Sequence, residues 1–214
     1  MLEDGTWAEV RMVRREDAPL LREGFERLSA RARFQRFLSP KSRLTEEELR
    51  YLTEVDGEGH VAIGVVTWDE IGQEVGLGVA RFFRLAHMPE VAEVAITVVD
   101  DAQGKGLGSL LMDNLVEAAR ERGVERFEFR VLPGNQPMYR LVQKLAPCEP
   151  QQDGESLCFS VPLASPAPGG AELLRSLLAL AAQGALTLIG PTCRWRGLPR
   201  TPPPVGYEEA ARSP

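Results

Sequence analysis

Between Val91 and Ser109 the chain reads VAEVAITVVDDAQGKGLGS, and this stretch holds the residues best suited to chemistry. Gly104, Gly106 and Gly108 stand at alternate positions, after Gln103 and interleaved with Lys105 and Leu107. Val91–Val99 ahead of them is β-branched and apolar, as a buried strand is. SLLMDNLVEAARERG behind them has the period of an amphipathic helix. A strand, a glycine-rich turn and a helix N-terminus offer an anion several backbone N–H groups and the positive end of a helix dipole. Without a Cβ in the way, phosphate oxygens can reach that backbone. On the strand, Glu93, Ala95 and Thr97 share one face, and Val94, Ile96 and Val98 share the other. Glu93 is thus a carboxylate close to the anion site, and a carboxylate can take up a proton.

Two common phosphate loops do not fit. A Walker loop needs Lys-Ser or Lys-Thr after its last glycine. A dinucleotide fingerprint needs Gly-x-Gly-x-x-Gly directly at the strand end, whereas here four residues, Asp100–Gln103, intervene and Ser109 occupies the third glycine position. A glycine turn that only caps the helix is the alternative to an anion loop.

The elements that must position these residues follow from periodicity. Trp7–Arg14 alternates and predicts a strand. A helix is expected over Ala18–Leu28 and another from the capping box Thr45-Glu46-Glu47-Glu48 to Thr53. Between them SARARFQRFLSPKS (Ser29–Ser42) is basic, with Phe34, Phe37 and Leu38 spaced like one face of a short helix. It reads as a cationic helix docked on the core, or as a wall of an acceptor pocket with arginines for phosphates. His60–Thr67 and Glu74–Arg84 predict an antiparallel pair, Val91–Val99 a third strand, and Leu107–Arg122 a long helix ended by Gly123. Arg126–Leu132, Asn135–Leu145 and Ser156–Val161 follow as strand, helix and strand.

The 214 residues are 43% hydrophobic, enough for one substantial core. A net charge of −6 without a basic run excludes nucleic acid as an expected partner. MLEDGTWAEV lacks the regions of a signal peptide, and the most apolar run, Leu177–Ile189, is broken by Gln183, Gly184 and Thr187, so no membrane span is expected. Three cysteines (Cys148, Cys158, Cys193) without Cys-x-x-Cys, and two histidines (His60, His87), give no metal pattern and point to a reducing cytoplasm. Residues 164–170 read as a linker. Residues 171–182 form an apolar helix that packs on the main domain or makes a homodimer contact, and the Pro-rich end reads as disordered.

The pattern Gln103-x-x-Gly106-x-Gly108, after a strand and opening a helix, resembles the pyrophosphate loop of the GNAT superfamily of N-acetyltransferases. A second segment supports the resemblance: in PGNQPMYRLVQKLAP, Asn135, Met138, Leu141, Lys144 and Leu145 match a family motif, while Ala146-Pro147 replaces the usual Gly-Phe. The basic SARARFQRFLS segment and the Asn-x-Pro-Met form look most like the Pat-type bacterial protein lysine acetyltransferases. The resemblance implies an α/β (α+β) fold over residues 1–163, with a mixed, mostly antiparallel sheet flanked by helices, followed by a C-terminal helical extension over 171–214.

It further implies acetyl-CoA as the acyl donor. The backbone of Ile96, Thr97 and Val98 would pair with the pantetheine arm. The N–H groups of Gln103, Gly104, Lys105, Gly106, Leu107, Gly108 and Ser109 would hold the diphosphate. Asn135 would bond the pantetheine, cap a helix, or both. The acceptor is an amine, with a protein lysine as first reading and a small amine as second. An unperturbed lysine, pKa ~10.4, must lose a proton before it attacks. Glu93, in an Ala-Glu-x-Ala setting used as a base in the Pat-type branch, is the candidate. Many members carry a tyrosine acid seven residues after the asparagine, but here that place is Val142. Tyr139 reads instead as a packing aromatic. A non-catalytic acyl-CoA sensor is the rival from another class.

Overall fold

In the computed structural model, residues 5–163 are described. Their elements are β1 (Glu9–Met12), α1 (Ala18–Glu26), α2 (Ala30–Phe37), α3 (Glu46–Thr53), β2 (His60–Trp68), β3 (Glu74–Leu85), β4 (Met88–Val98), α4 (Leu107–Glu121), β5 (Arg126–Val131), α5 (Gln136–Leu145), β6 (Gln151–Asp153) and β7 (Ser156–Pro162). The seven strands form one sheet in the order β1-β2-β3-β4-β5-β7-β6. Every neighbouring pair is antiparallel except β4 with β5.

Strand alternation sends two sets of side chains to opposite faces. Val61, Val65, Phe82, Val94, Phe127 and Phe129 go to the face covered by α4, whose Leu107, Leu111 and Leu115 complete the main core. The other face is covered by α1, α2 and α3, whose Phe25, Leu28, Leu49 and Leu52 make a smaller cluster with Leu44. On that face sit Arg81, Phe83, Glu93, Ala95 and Thr97, fixed by the register Phe83↔Glu93 and Arg81↔Ala95.

The helix ends follow their sequence signals. Thr45 Oγ1 accepts from Glu48 N–H at 3.2 Å, and Glu48 Oε2 accepts from Thr45 N–H at 2.8 Å, closing the predicted capping box of α3. After α4 the backbone turns at Gly123, whose φ of +73° lies in the left-handed region.

The basic segment forms the short helix that its spacing predicts, α2. Two features differ from the sequence expectation. The first strand is shorter, Glu9–Met12, and leaves the 70% exposed Trp7 outside it. β6 has only three exposed polar residues, Gln151–Asp153, and is held by pairing with β7 rather than by any apolar pattern. No helix among the described residues is long and apolar enough to cross a membrane. The expected linker at 164–170 and extension at 171–214 lie outside the described residues.

Candidate functional site

β4 and β5 run in register only over Val91–Glu93 against Arg126–Glu128. Beyond that point β4 stays paired with β3 as far as Val98, and β5 stays paired with β7 as far as Val131. The two strands therefore part, leaving a cleft of about 520 Å³ between them. It is lined by Glu93–Val98 on one side, by Phe129, Arg130 and Asn135 on the other, and by the glycine loop at one end.

The loop is poised for an anion. A single 3-10 turn, Asp100–Ala102, leads out of β4. Arg27 clamps Asp101 with two 2.8 Å bonds and Ser29 N–H reaches Asp100 at 3.2 Å, which ties the loop to the α1–α2 corner. Gly104 and Gly106 then take φ of +78° and +81°, where a side chain would be strained. Gly106 is the N-cap of α4 and no side chain caps that end. The first intrahelical bond is Leu110 N–H to Gly106 O, so the N–H groups of Leu107, Gly108 and Ser109 have no carbonyl within the helix. All three residues line the cleft. Gln103 differs from the others: its N–H already donates to Asp100 O at 3.3 Å, and its side-chain amide donates to Val98 O at 3.1 Å.

The direction of the β4 backbone can be worked out from two bonds. Val99 N–H donates to Leu77 O beside β3, while the Val98 carbonyl turns the other way to meet Gln103. Alternation along the strand then aims the N–H and C=O of Ile96 into the cleft and those of Thr97 toward β3. Of the segment Ile96–Val98, Ile96 thus offers a full backbone donor–acceptor pair, and Thr97 contributes its side chain.

On the opposite wall, Asn135 caps α5, its Oδ1 accepting from Met138 N–H at 3.3 Å. Arg31 of α2 donates to Gly134 O at 3.4 Å, tying α2 to the turn that precedes α5. Lys144 bonds Ser109 Oγ at 3.1 Å and brings a cation to the N-terminus of α4.

Glu93 occupies the fork itself, on the last paired rung, exposed and on the face toward α2. Its register partner Glu128 places a second carboxylate on the neighbouring strand. Arg36 of α2 lines the same cleft, and burial pushes its guanidinium down to about 10 against the opposing influence of Glu93. Glu128 is placed beside Glu93 by strand register, which no local motif announces, and helix rotation selects Arg36 among the arginines of the basic segment. The basic segment realises both of its readings: Phe37 packs edge-on against Phe25, while Ala32, Gln35, Arg36 and Leu38 line the cleft. Val142 is fully buried, and Tyr139 packs edge-on against Phe159 at 5.5 Å, so neither helical position offers a hydroxyl to the cleft. Among the described residues no group of three or more His, Cys, Asp and Glu could hold a metal.

A mixed sheet forked between its fourth and fifth strands, with an uncapped glycine-led helix at the end of the fork, is the arrangement of the acetyltransferase (GNAT) family. The model of that family matches residues 10–146, and the chain belongs to it. Among individual proteins, the chain is 38% identical over 141 residues to acetyltransferase Pat of Mycolicibacterium smegmatis, covering 66% of this chain and 41% of that protein. It is 32% identical over 122 residues to an acetyltransferase of Pseudomonas aeruginosa, covering 57% and 64% respectively. It therefore spans less than two thirds of the length of both relatives. The crystal structure of the GNAT domain of S. lividans PAT superposes with a TM-score of 0.67 at 28% identity, over 75% of this chain and 93% of that domain.

Proposed function

We propose that the chain transfers the acetyl group of acetyl-CoA to the side-chain amine of a protein lysine, with Glu93 as general base. The observation that carries this reading is the alignment of three features along one cleft: unbonded N–H groups at the start of α4, the outward backbone of Ile96, and Glu93 at the fork. Diphosphate oxygens take hydrogen bonds from Leu107, Gly108 and Ser109 and the charge of the helix end. Lys144 adds a second positive group there. The pantetheine amides complete the ladder that β5 leaves open beside Ile96. Likeness to Pat supports a protein lysine as acceptor.

Glu93 takes the ammonium proton, directly or through a water, and the neutral nitrogen attacks the thioester carbonyl. The Ile96 N–H is the nearest cleft-facing strand donor for the oxyanion that forms. The C–S bond then breaks, and a thiol of ordinary pKa ~8.5 leaves readily without a dedicated protein acid.

Thiol release from acetyl-CoA, followed with lysine peptides and a panel of small amines, tests this. Glu93→Gln should lower kcat by about 10²–10⁴ while acetyl-CoA binding is retained. Gly106→Trp, at a φ of +81° in the loop, should abolish acetyl-CoA binding in a calorimetric titration. Equal rates for wild type and Glu93→Gln remove Glu93 as the base. Turnover of small amines alone moves the acceptor to that class, and binding without turnover on any amine assigns an acyl-CoA sensor.

A further inference from the structure

Next to the cleft, on the sheet face covered by α1–α3, lies a second cavity of about 80 Å³. It shares Arg36 and Thr97 with the cleft. Gly64 and Gly76 on β2 and β3 supply a wall without side chains.

Three arginines line this space: Arg11, Arg36 and Arg81. Arg11 is neutralised by Asp17 and Glu74, both at 2.7 Å. The other two have no carboxylate within ion-pair distance among the described residues. Arg81 is 1% exposed; its Nη1 donates to Leu52 O at 2.9 Å and touches His60 Nε2 at 3.3 Å, and its Nε has no partner among the described residues. Arg36 makes no hydrogen bond to the described residues, and its guanidinium lies 4.9 Å from the Phe37 ring. A guanidinium stays charged, and with Glu93 acting on Arg36 only from beyond ion-pair distance, two of them lining one cavity leave a demand for negative charge. A carboxylate meets that demand best, because its two oxygens match the forked donors of arginine.

We propose that this cavity is a carboxylate site extending the acyl pocket, so that the protein uses acyl-CoA donors whose acyl chain ends in a carboxylate, of about succinyl length, alongside acetyl-CoA. The proposal rests on the reading of the cleft as the acyl-CoA site. The donor is the source of the carboxylate because Thr97, next to the Ile96 edge assigned to pantetheine, lines both the cavity and the cleft, and a lysine side chain brings no carboxylate of its own. The space, against ~30 Å³ per water, admits the extra methylene and carboxylate. The reaction is unchanged in kind. The amine nitrogen bonds the thioester carbon, the C–S bond breaks, coenzyme A leaves as the thiol with the proton given up by the amine, and the distal carboxylate is carried unreacted into the new amide.

Calorimetric titration of the full chain with acetyl-, butyryl- and succinyl-CoA provides the test. Succinyl-CoA should bind about tenfold tighter than butyryl-CoA, its neutral four-carbon counterpart. Arg36→Met and Arg81→Met should each bring that ratio toward one. The wild-type comparison needs no variant, so misfolding of Arg81→Met leaves the test intact. Butyryl-CoA binding as tightly as succinyl-CoA, or a succinyl preference undiminished in both variants, overturns the proposal. Acetyl-CoA binding without donor discrimination sinks this inference alone, whereas no binding of any acyl-CoA sinks the reading of the cleft as well. With acetyl-CoA as donor, a preference for carboxylate-bearing amines that Arg36→Met removes, without donor discrimination, assigns the arginines to the acceptor and likewise overturns it.

Discussion

Toward α4 the sheet presents Val61, Val65, Phe82, Phe127 and Phe129, none more than 1% exposed, and α4 answers with Leu111 and Leu115, both fully buried. Toward α1–α3 the sheet presents Arg11, His60 and Arg81, and the covering segment adds Asp17. One side excludes water from hydrocarbon, which is favourable in any orientation. The other side buries charge, which is tolerable only where partners are placed well. The cleft borrows from both: its loop starts the helix of the apolar side, and its carboxylate and Arg36 belong to the charged side. Stability is concentrated on the first face, and pH response and ligand demand on the second.

That contrast can be attacked from the strongest effect down. Phe127→Ala should destabilise the fold by about 3–5 kcal/mol, read from the urea midpoint, because it empties a fully buried site. Asp17→Asn should cost less, about 2–3 kcal/mol, since Arg11 keeps Glu74 as a partner. Burial alone would raise the Asp17 carboxyl, but bonds from Arg11 and the Arg14 N–H outweigh it and hold the group below the usual carboxylate range. Its contribution is thus complete above about pH 4 and is lost as the pH falls through the folded value, so the variant should lack that acid limb. If Asp17→Asn proves the costlier change, stability is not concentrated on the apolar face.

His60 gives the smallest effect. Burial first, and then the charge of Arg81, push its imidazole down to about 4 against the partial opposition of Asp56. The unfolded chain takes up this proton near pH 6.5 and the folded chain resists it. Stability should therefore fall as the pH drops from about 6.5 to about 4, and should be indifferent to His60 above that window. His60→Gln keeps an acceptor for Arg81 and should flatten the limb by about 1–2 kcal/mol, measured as the difference between urea midpoints at pH 7 and pH 5.

Much of the frame was legible because its signals are local. The capping box at Thr45–Glu48, the stop at Gly123 and the glycine turn that opens α4 each lie within a few consecutive residues, and the structure forms all three. The two faces of β4 followed from alternation alone. What stayed hidden depends on distance along the chain. The fork arises from the pairing of Val91–Glu93 with Arg126–Glu128, segments more than thirty residues apart, and nothing within either announces where pairing stops. Nothing in VARFF marks Arg81 as buried; that follows only from α3 lying over it, with Leu52 O receiving its guanidinium. β6 has no apolar residue from which to be read.

The parallel seam between β4 and β5 is only three rungs long, and each side of it is otherwise a self-paired antiparallel ribbon. Such a joint lets one wall of the cleft change its angle without disturbing the other: the β5–β7 ribbon can tilt about three rungs while the ribbon carrying Ile96 and the glycine loop stays held by β3.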